Sequence, residues 1–196
     1  MTFDRLGQAL RAKEPRPCPV DRIPAQHHPP QGFAPAAVLV PLYERDGEAW
    51  ALFTKRRADL RLHAGQVSFP GGRVDPDDRD TLATALREAQ EEVGLDPGQV
   101  TILGQLDGCL VPTGFCLTPW VGSVPYPYPY LAEPREVEEI IMAPLSALAR
   151  PEAHRIELRE AYGTRHEVHH YAFGHHTIWG ATARILRDLL AIWYSL

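Results

Sequence analysis

Residues 72–95 read GRVDPDDRDTLATALREAQEEVGL. Leu82, Ala85, Leu86, Ala89 and Val93 recur at intervals of three and four, which predicts a helix over residues 81–93 with one buried stripe. Gly94 ends the period. Glu88, Glu91 and Glu92 stand at i, i+3 and i+4, so three carboxylates project from one face beside the stripe. Like charges so placed cost an isolated helix about 0.2–0.5 kcal/mol per pair. In the last turn the helix dipole disfavours them by about 0.3–1 kcal/mol more. A bound cation offsets both penalties, and hard oxygen donors suit Mg²⁺ or Mn²⁺ better than zinc. Acidic clusters are common on solvated helix faces, but this one has particular neighbours. Gly71 and Gly72 upstream allow close backbone approach to a ligand, and Arg87 can pair with Glu91 one turn on while bringing positive charge near phosphate.

Outward from the helix, residues 36–43 (AAVLVPLY) form an apolar run rich in branched side chains, and ERDG supplies a turn. Residues 49–56 (AWALFTKR) return as the second strand of a hairpin. A loop over 57–66 leads to VSF (67–69). Further strands are expected over 100–106, 117–124, 137–145 and 167–173, and a closing helix over 181–194. Strands outnumber helices without strict βαβ alternation, so a mixed sheet with flanking helices is expected rather than a doubly wound fold. Ahead of it, residues 1–35 comprise a short helix and a Pro-rich stretch without a period, expected to wrap over the surface. The division is therefore 1–35 as an extension and 36–196 as a single domain, the extension serving packing or a homodimer contact rather than chemistry.

The stretch 72–95 resembles the Nudix box, GX5EX7REUXEEXGU with U aliphatic. Gly72, Arg87, Glu88, Ala89, Glu91, Glu92, Gly94 and Leu95 match it, but Gly72 to Arg87 is one residue longer than the pattern. The isolated Glu of the pattern falls near Asp78 or Asp80, and the sequence does not choose between them. The resemblance implies an α/β/α sandwich around a mixed sheet (an α/β, or α+β, Nudix fold). It also implies metal ligation by Glu88, Glu91 and Glu92, with the Gly72 carbonyl as a further ligand. The block before it, LFTKRRADLRLHAGQVSFPGG (52–72), resembles the signature of the coenzyme A pyrophosphatase subgroup at Leu52, Thr54, Arg56, Arg61, Gly65, Phe69, Pro70, Gly71 and Gly72, with departures at Phe53 and Arg57.

The activity implied by this second resemblance is Mg²⁺- or Mn²⁺-dependent hydrolysis of the coenzyme A diphosphate. Arg56, Arg57, Arg61, His63 and Phe69 are then substrate contacts, and Arg87, Glu91, Glu92, Glu136 and Glu139 belong to the catalytic set. The base that takes the proton of water is open among Glu91, Glu136, Glu138 and Glu139. Two other readings stay open: a Nudix enzyme for ADP-ribose, NADH, dinucleotide polyphosphates or nucleoside triphosphates, and a non-catalytic Nudix module.

A net charge of −5 argues against a nucleic-acid partner. It is compatible with a polyanionic small molecule only if cations lie between protein and phosphate. No apolar run approaches the roughly 20 residues that span a bilayer, and no secretory h-region is present, so a cytoplasmic protein is expected. Three cysteines, Cys18, Cys109 and Cys116, without CxxC spacing predict reduced, mostly buried thiols.

Overall fold

The apolar run at residues 36–43 is buried throughout, and its alternate side chains serve two different cores. It is the middle of β1 (Ala34–Arg45). Ala37, Leu39 and Tyr43 face one helix layer, whereas Val38, Val40 and Leu42 face the other. Burial on both faces is what a central strand requires. The molecule is described by a computed structural model that covers every residue except Met1, Pro30, Arg61, Leu62, Pro112, Tyr162 and Gly163, and every side chain of the remainder except those of Thr2, Arg22, Ala161 and Thr164.

Around β1 the described residues build an eight-stranded mixed sheet. β1 runs antiparallel to β2 (Glu48–Arg56) and β4 (Gly71–Arg73), and parallel to β7 (Phe115–Ser123). β2 also pairs with β3 (Val67–Ser68) and β8 (Val137–Pro144), while β7 pairs with β5 (Thr101–Gln105) and β6 (Cys109–Val111). One face is covered by α2 (Thr81–Val93), whose Ala85, Ala89 and Val93 are fully buried against β1 and β2. The other is covered by α1 (Thr2–Ala12) and α4 (Gly180–Trp193). A separate antiparallel sheet of β9 (His154–Ala161), β10 (Thr164–Phe173) and β11 (His176–Trp179) packs on that second side. The result is three layers, helix, mixed sheet and helix.

The structure corrects the expectation for the cysteines. Cys18 and Cys116 are joined in a disulfide across a sequence separation of 98, and Cys109 alone is a free, buried thiol. An odd count does not forbid one pair, and the pairing is set by long-range placement. Cys116 lies on β7, and the 1–35 segment is led past it where the Gly108 N–H donates to the Arg16 carbonyl at 2.8 Å. That segment is tied down elsewhere too. Leu6 and Leu10 are buried in the core that α4 shares, Phe3 packs on Trp193 with ring centres 5.9 Å apart, and Arg16 and Lys13 pair with Asp107 at 2.8 and 3.0 Å. The Pro-rich stretch also holds two single 3₁₀ turns, Val20–Arg22 and Ala25–His27.

Candidate metal and phosphate site

Helix α2 is fixed at both ends by its own sequence. Asp80 caps the start, accepting the Ala83 N–H at 2.8 Å, and Gly94 takes the left-handed conformation (φ 67°) that closes the end. With Ala85, Ala89 and Val93 turned into the sheet, Glu88 and Glu92 are carried against β4 and β2. Glu92 is only 4% exposed, and Thr54 on β2 donates its hydroxyl to Glu92 Oε2 at 3.1 Å. Burial pushes the Glu92 carboxyl up to about 7, against the lowering effects of Arg56 and the Thr54 hydrogen bond. Burial raises Glu88 as well, although Arg87 opposes it.

Arg87 organises the acidic face. Its Nε and Nη2 donate to the two oxygens of Asp78 at 3.1 and 3.0 Å, and its Nη1 donates to Glu88 and to Glu91, each at 2.9 Å. Nη2 also reaches the Arg73 carbonyl at 3.2 Å. Asp78 is nearly buried, and Arg87 holds its carboxyl well below the usual range. The two aspartates that sequence could not rank therefore divide the work: Asp78 fixes Arg87, and Asp80 caps the helix.

Arg56 Nη1 lies 3.9 Å from Glu92 and 3.5 Å from Glu136, while its buried Nε has no hydrogen-bond partner. Glu88 and Glu92 are burdened chiefly by burial, with Glu136 adding repulsion, and Arg87 and Arg56 oppose this without bringing either carboxyl back to its ordinary range. A divalent cation supplies the charge such a set calls for, and carboxylate oxygens are its preferred donors. The residues present thus fit Mg²⁺ or Mn²⁺. Gly72 strengthens the fit, because a Cβ there would collide with the Glu88 carboxylate, so the backbone lies directly against it.

Gly71 differs in a way that can be tested, since its Cβ would strike the carbonyl of Ala37 and the backbone of Val38. Gly71→Ala is expected to cost about 1–3 kcal/mol in urea unfolding. Gly72→Ala is expected to cost less stability but to lower kcat by about 10²-fold, because it displaces the Glu88 carboxylate from the acidic set. The opposite ranking in both measurements would refute this division.

Several residues expected at the site are elsewhere. Phe69 is buried (2% exposed) and stacked on Phe53 at 4.6 Å, so it is a core side chain, not a substrate contact. Arg57 spends its guanidinium on Asp59 (2.8 and 2.7 Å) and the Pro134 carbonyl (3.2 Å). His63 is in a turn with positive φ, its Nδ1 2.9 Å from Gln66 Oε1. Arg61 lies outside the described residues. Glu138 is bonded to Lys55 at 2.7 Å. Glu139 pairs in register with Lys55, on the face turned away from α2, where it meets His176 at 3.4 Å. The structure therefore brings Gly72, Arg87, Glu88, Glu91, Glu92, Arg56 and Glu136 together, and Glu139 apart from them. Sequence reading missed the part of Thr54, although its place two residues before Arg56 on an alternating strand was a usable signal.

The profile of the NUDIX domain matches residues 33–171. A protein described as uncharacterized Nudix hydrolase NudL from Cronobacter sakazakii is 45% identical over 155 residues, spanning 79% of this chain and 80% of its own. Its namesake from Photorhabdus laumondii is 43% identical over 155 residues, spanning 79% of this chain and 82% of its own. Among solved structures, a NUDIX hydrolase from Alicyclobacillus acidocaldarius superposes with a TM-score of 0.54 at 17% identity, over 82% of this chain and 92% of that one, which is a likeness of fold. With its three-layer sandwich and its acidic helix, the chain belongs to the Nudix hydrolase family.

Proposed function

We propose that the chain hydrolyses the diphosphate bond of coenzyme A or a close derivative, giving 3′,5′-ADP and 4′-phosphopantetheine or its oxidised or acylated form. The observation that carries this reading is the place of β2. It holds the start, residues 52–56, of the block that resembles the coenzyme A pyrophosphatase signature, and its Thr54 and Arg56 reach Glu92 on α2, which supports reading block and helix as one site.

Glu88, Glu91, Glu92 and the Gly72 carbonyl would hold Mg²⁺ or Mn²⁺, which when bound neutralises diphosphate oxygens and acidifies the attacking water. Arg87 keeps Glu88 and Glu91 oriented, and Asp78 keeps Arg87 in place. Arg56, partly exposed beside Glu92 and Glu136, would give its guanidinium to a phosphate oxygen. Glu136 is the base: it is half-exposed, its ion pair with Arg56 is a loose one at 3.5 Å, and it is close enough to Glu88 and Glu92 to act on them electrostatically. It takes one proton of the water while the water oxygen bonds to phosphorus and the bridging oxygen departs with the electron pair of the broken bond. Glu136→Gln is expected to lower kcat by about 10²-fold with unfolding in urea unchanged; wild-type turnover would remove Glu136 from this role. A cytoplasmic location, and a packing or homodimer-contact role for residues 1–35, belong to the same proposal.

A substrate panel with Mg²⁺ or Mn²⁺ tests the specificity, using coenzyme A, ADP-ribose, NADH, diadenosine polyphosphates and deoxynucleoside triphosphates. The highest kcat/KM is expected for coenzyme A, with 3′,5′-ADP released. Preference for another member would discard the coenzyme A assignment and keep the metal helix.

A further inference from the structure

On the far side of the sheet from α2, Glu139 of β8 meets two histidines from the hairpin that joins β10 to β11. One ligand atom from each of Glu139, His175 and His176 lies within 4.8 Å of the others. The local backbone explains how adjacent histidines converge. Phe173 pairs with His176 across a two-residue turn, Gly174 is left-handed (φ 58°), and His175 sits in the turn rather than on the strand. Strand alternation, which would send the two rings to opposite faces, is therefore broken between them, and their centres are 3.9 Å apart.

We propose that Glu139, His175 and His176 form a second metal site, one that takes Zn²⁺ in preference to Mg²⁺ or Mn²⁺ and is separate from the acidic site on α2.

Three observations carry it. The first is distance. Tetrahedral Zn²⁺ with bonds of about 2.0–2.1 Å sets neighbouring ligand atoms about 3.4 Å apart. His176 Nε2 and Glu139 Oε1 stand 3.4 Å apart, whereas a charge-assisted hydrogen bond would draw them to about 2.7–2.9 Å. His175, exposed at the turn, is free to complete the set by side-chain rotation. The second is the availability of the ligands. Lys55, the cation nearest in register, is bonded to Glu138 at 2.7 Å, which leaves Glu139 to the histidines, and His176 is 8% exposed and aimed at it. The third is space. Both histidines line a cavity of about 400 Å³ that also reaches His170 and Trp179, so a fourth position is open to water or a small exogenous ligand, as three-residue zinc sites require. Donor chemistry separates the two sites: two imidazoles with one carboxylate suit Zn²⁺ and other late first-row ions over Mg²⁺, whereas an all-oxygen set suits Mg²⁺ or Mn²⁺.

The test is zinc binding by the full chain, stripped with EDTA and titrated with Zn²⁺ against a chromophoric chelator in excess Mg²⁺, with Co²⁺ visible absorption as a second readout of tetrahedral geometry. One equivalent of Zn²⁺ is expected. Affinity should fall by at least about tenfold in His175→Ala and in His176→Ala, and should be unchanged in Glu88→Gln/Glu92→Gln. Because His176 is buried and its replacement could disturb folding, the exposed His175 is the decisive variant. Absence of Zn²⁺ binding, wild-type affinity in His175→Ala, or loss of zinc in the Glu88→Gln/Glu92→Gln chain would each overturn the proposal. The last outcome would assign the zinc to α2.

Discussion

Glu92→Gln is expected to lower kcat at saturating Mg²⁺ by roughly 10³-fold while leaving the metal-free protein at least as stable as wild type. The two halves have one cause. Glu92 is 4% exposed and carries a carboxyl that burial pushes up to about 7 from 4.5. Between those values the folded state holds a proton that the unfolded chain has released, so the stability of the metal-free protein falls as pH rises through this window. Gln keeps the shape and can still accept the Thr54 hydroxyl, but it has no charge to desolvate. At pH 8 the variant should therefore unfold in urea at the same or higher concentration. Near-normal turnover would remove Glu92 from the metal set. Loss of stability together with activity would make it a structural group instead.

Arg87→Ala should damage the fold and the site together. Asp78 is 7% exposed and depends on this guanidinium, and a buried carboxylate stripped of its partner costs about 3 kcal/mol. Glu88 and Glu91 lose their orienting donor at the same time, so kcat should fall as well. The pH dependence identifies the cause. Arg87 holds the Asp78 carboxyl below its ordinary 3.8, so its contribution is fully present above that value and is lost as the pH falls through the folded-state value. The stability gap between wild type and variant should be widest at neutral pH and shrink in acid. Arg87→Lys should recover part of the gap, since it keeps the charge but not the fork that spans Asp78, Glu88 and Glu91. A gap of the same size at neutral and strongly acidic pH would show that lost packing, not the ion pair, is responsible.

Helix α2 was legible in the sequence to the residue, Thr81–Val93, because its period and its Gly94 stop are local signals, whereas the Asp80 cap emerged only with the structure. Long central strands were legible for a similar reason, since an apolar run such as residues 36–43 has few other places to go. What escaped depends on partners distant in sequence. β4 is Gly-Gly-Arg, with little strand propensity, and exists because β1 offers it an edge. β9, HRIELREA, is largely polar and is held by its register with β10. The Cys18–Cys116 bridge joins parts of the chain that no spacing rule connects. Glu139 groups with Glu136 in the sequence because the two are three residues apart. Glu139 lies on β8 while Glu136 stands just before it, and an odd separation on an extended chain already sends the two to opposite faces, a signal that grouping them as one acidic segment overlooks. Phe69 shows the converse limit, since a residue fixed in a functional signature can be fixed by packing alone.

The most direct measurement is the release of 3′,5′-ADP from coenzyme A by EDTA-treated protein before and after addition of Mg²⁺ or Mn²⁺, with Glu88→Gln/Glu92→Gln run beside wild type. Release that requires the metal and vanishes in the double variant is the predicted result. Release without metal, or undiminished release by the folded double variant, would contradict the assignment of the chemistry to α2.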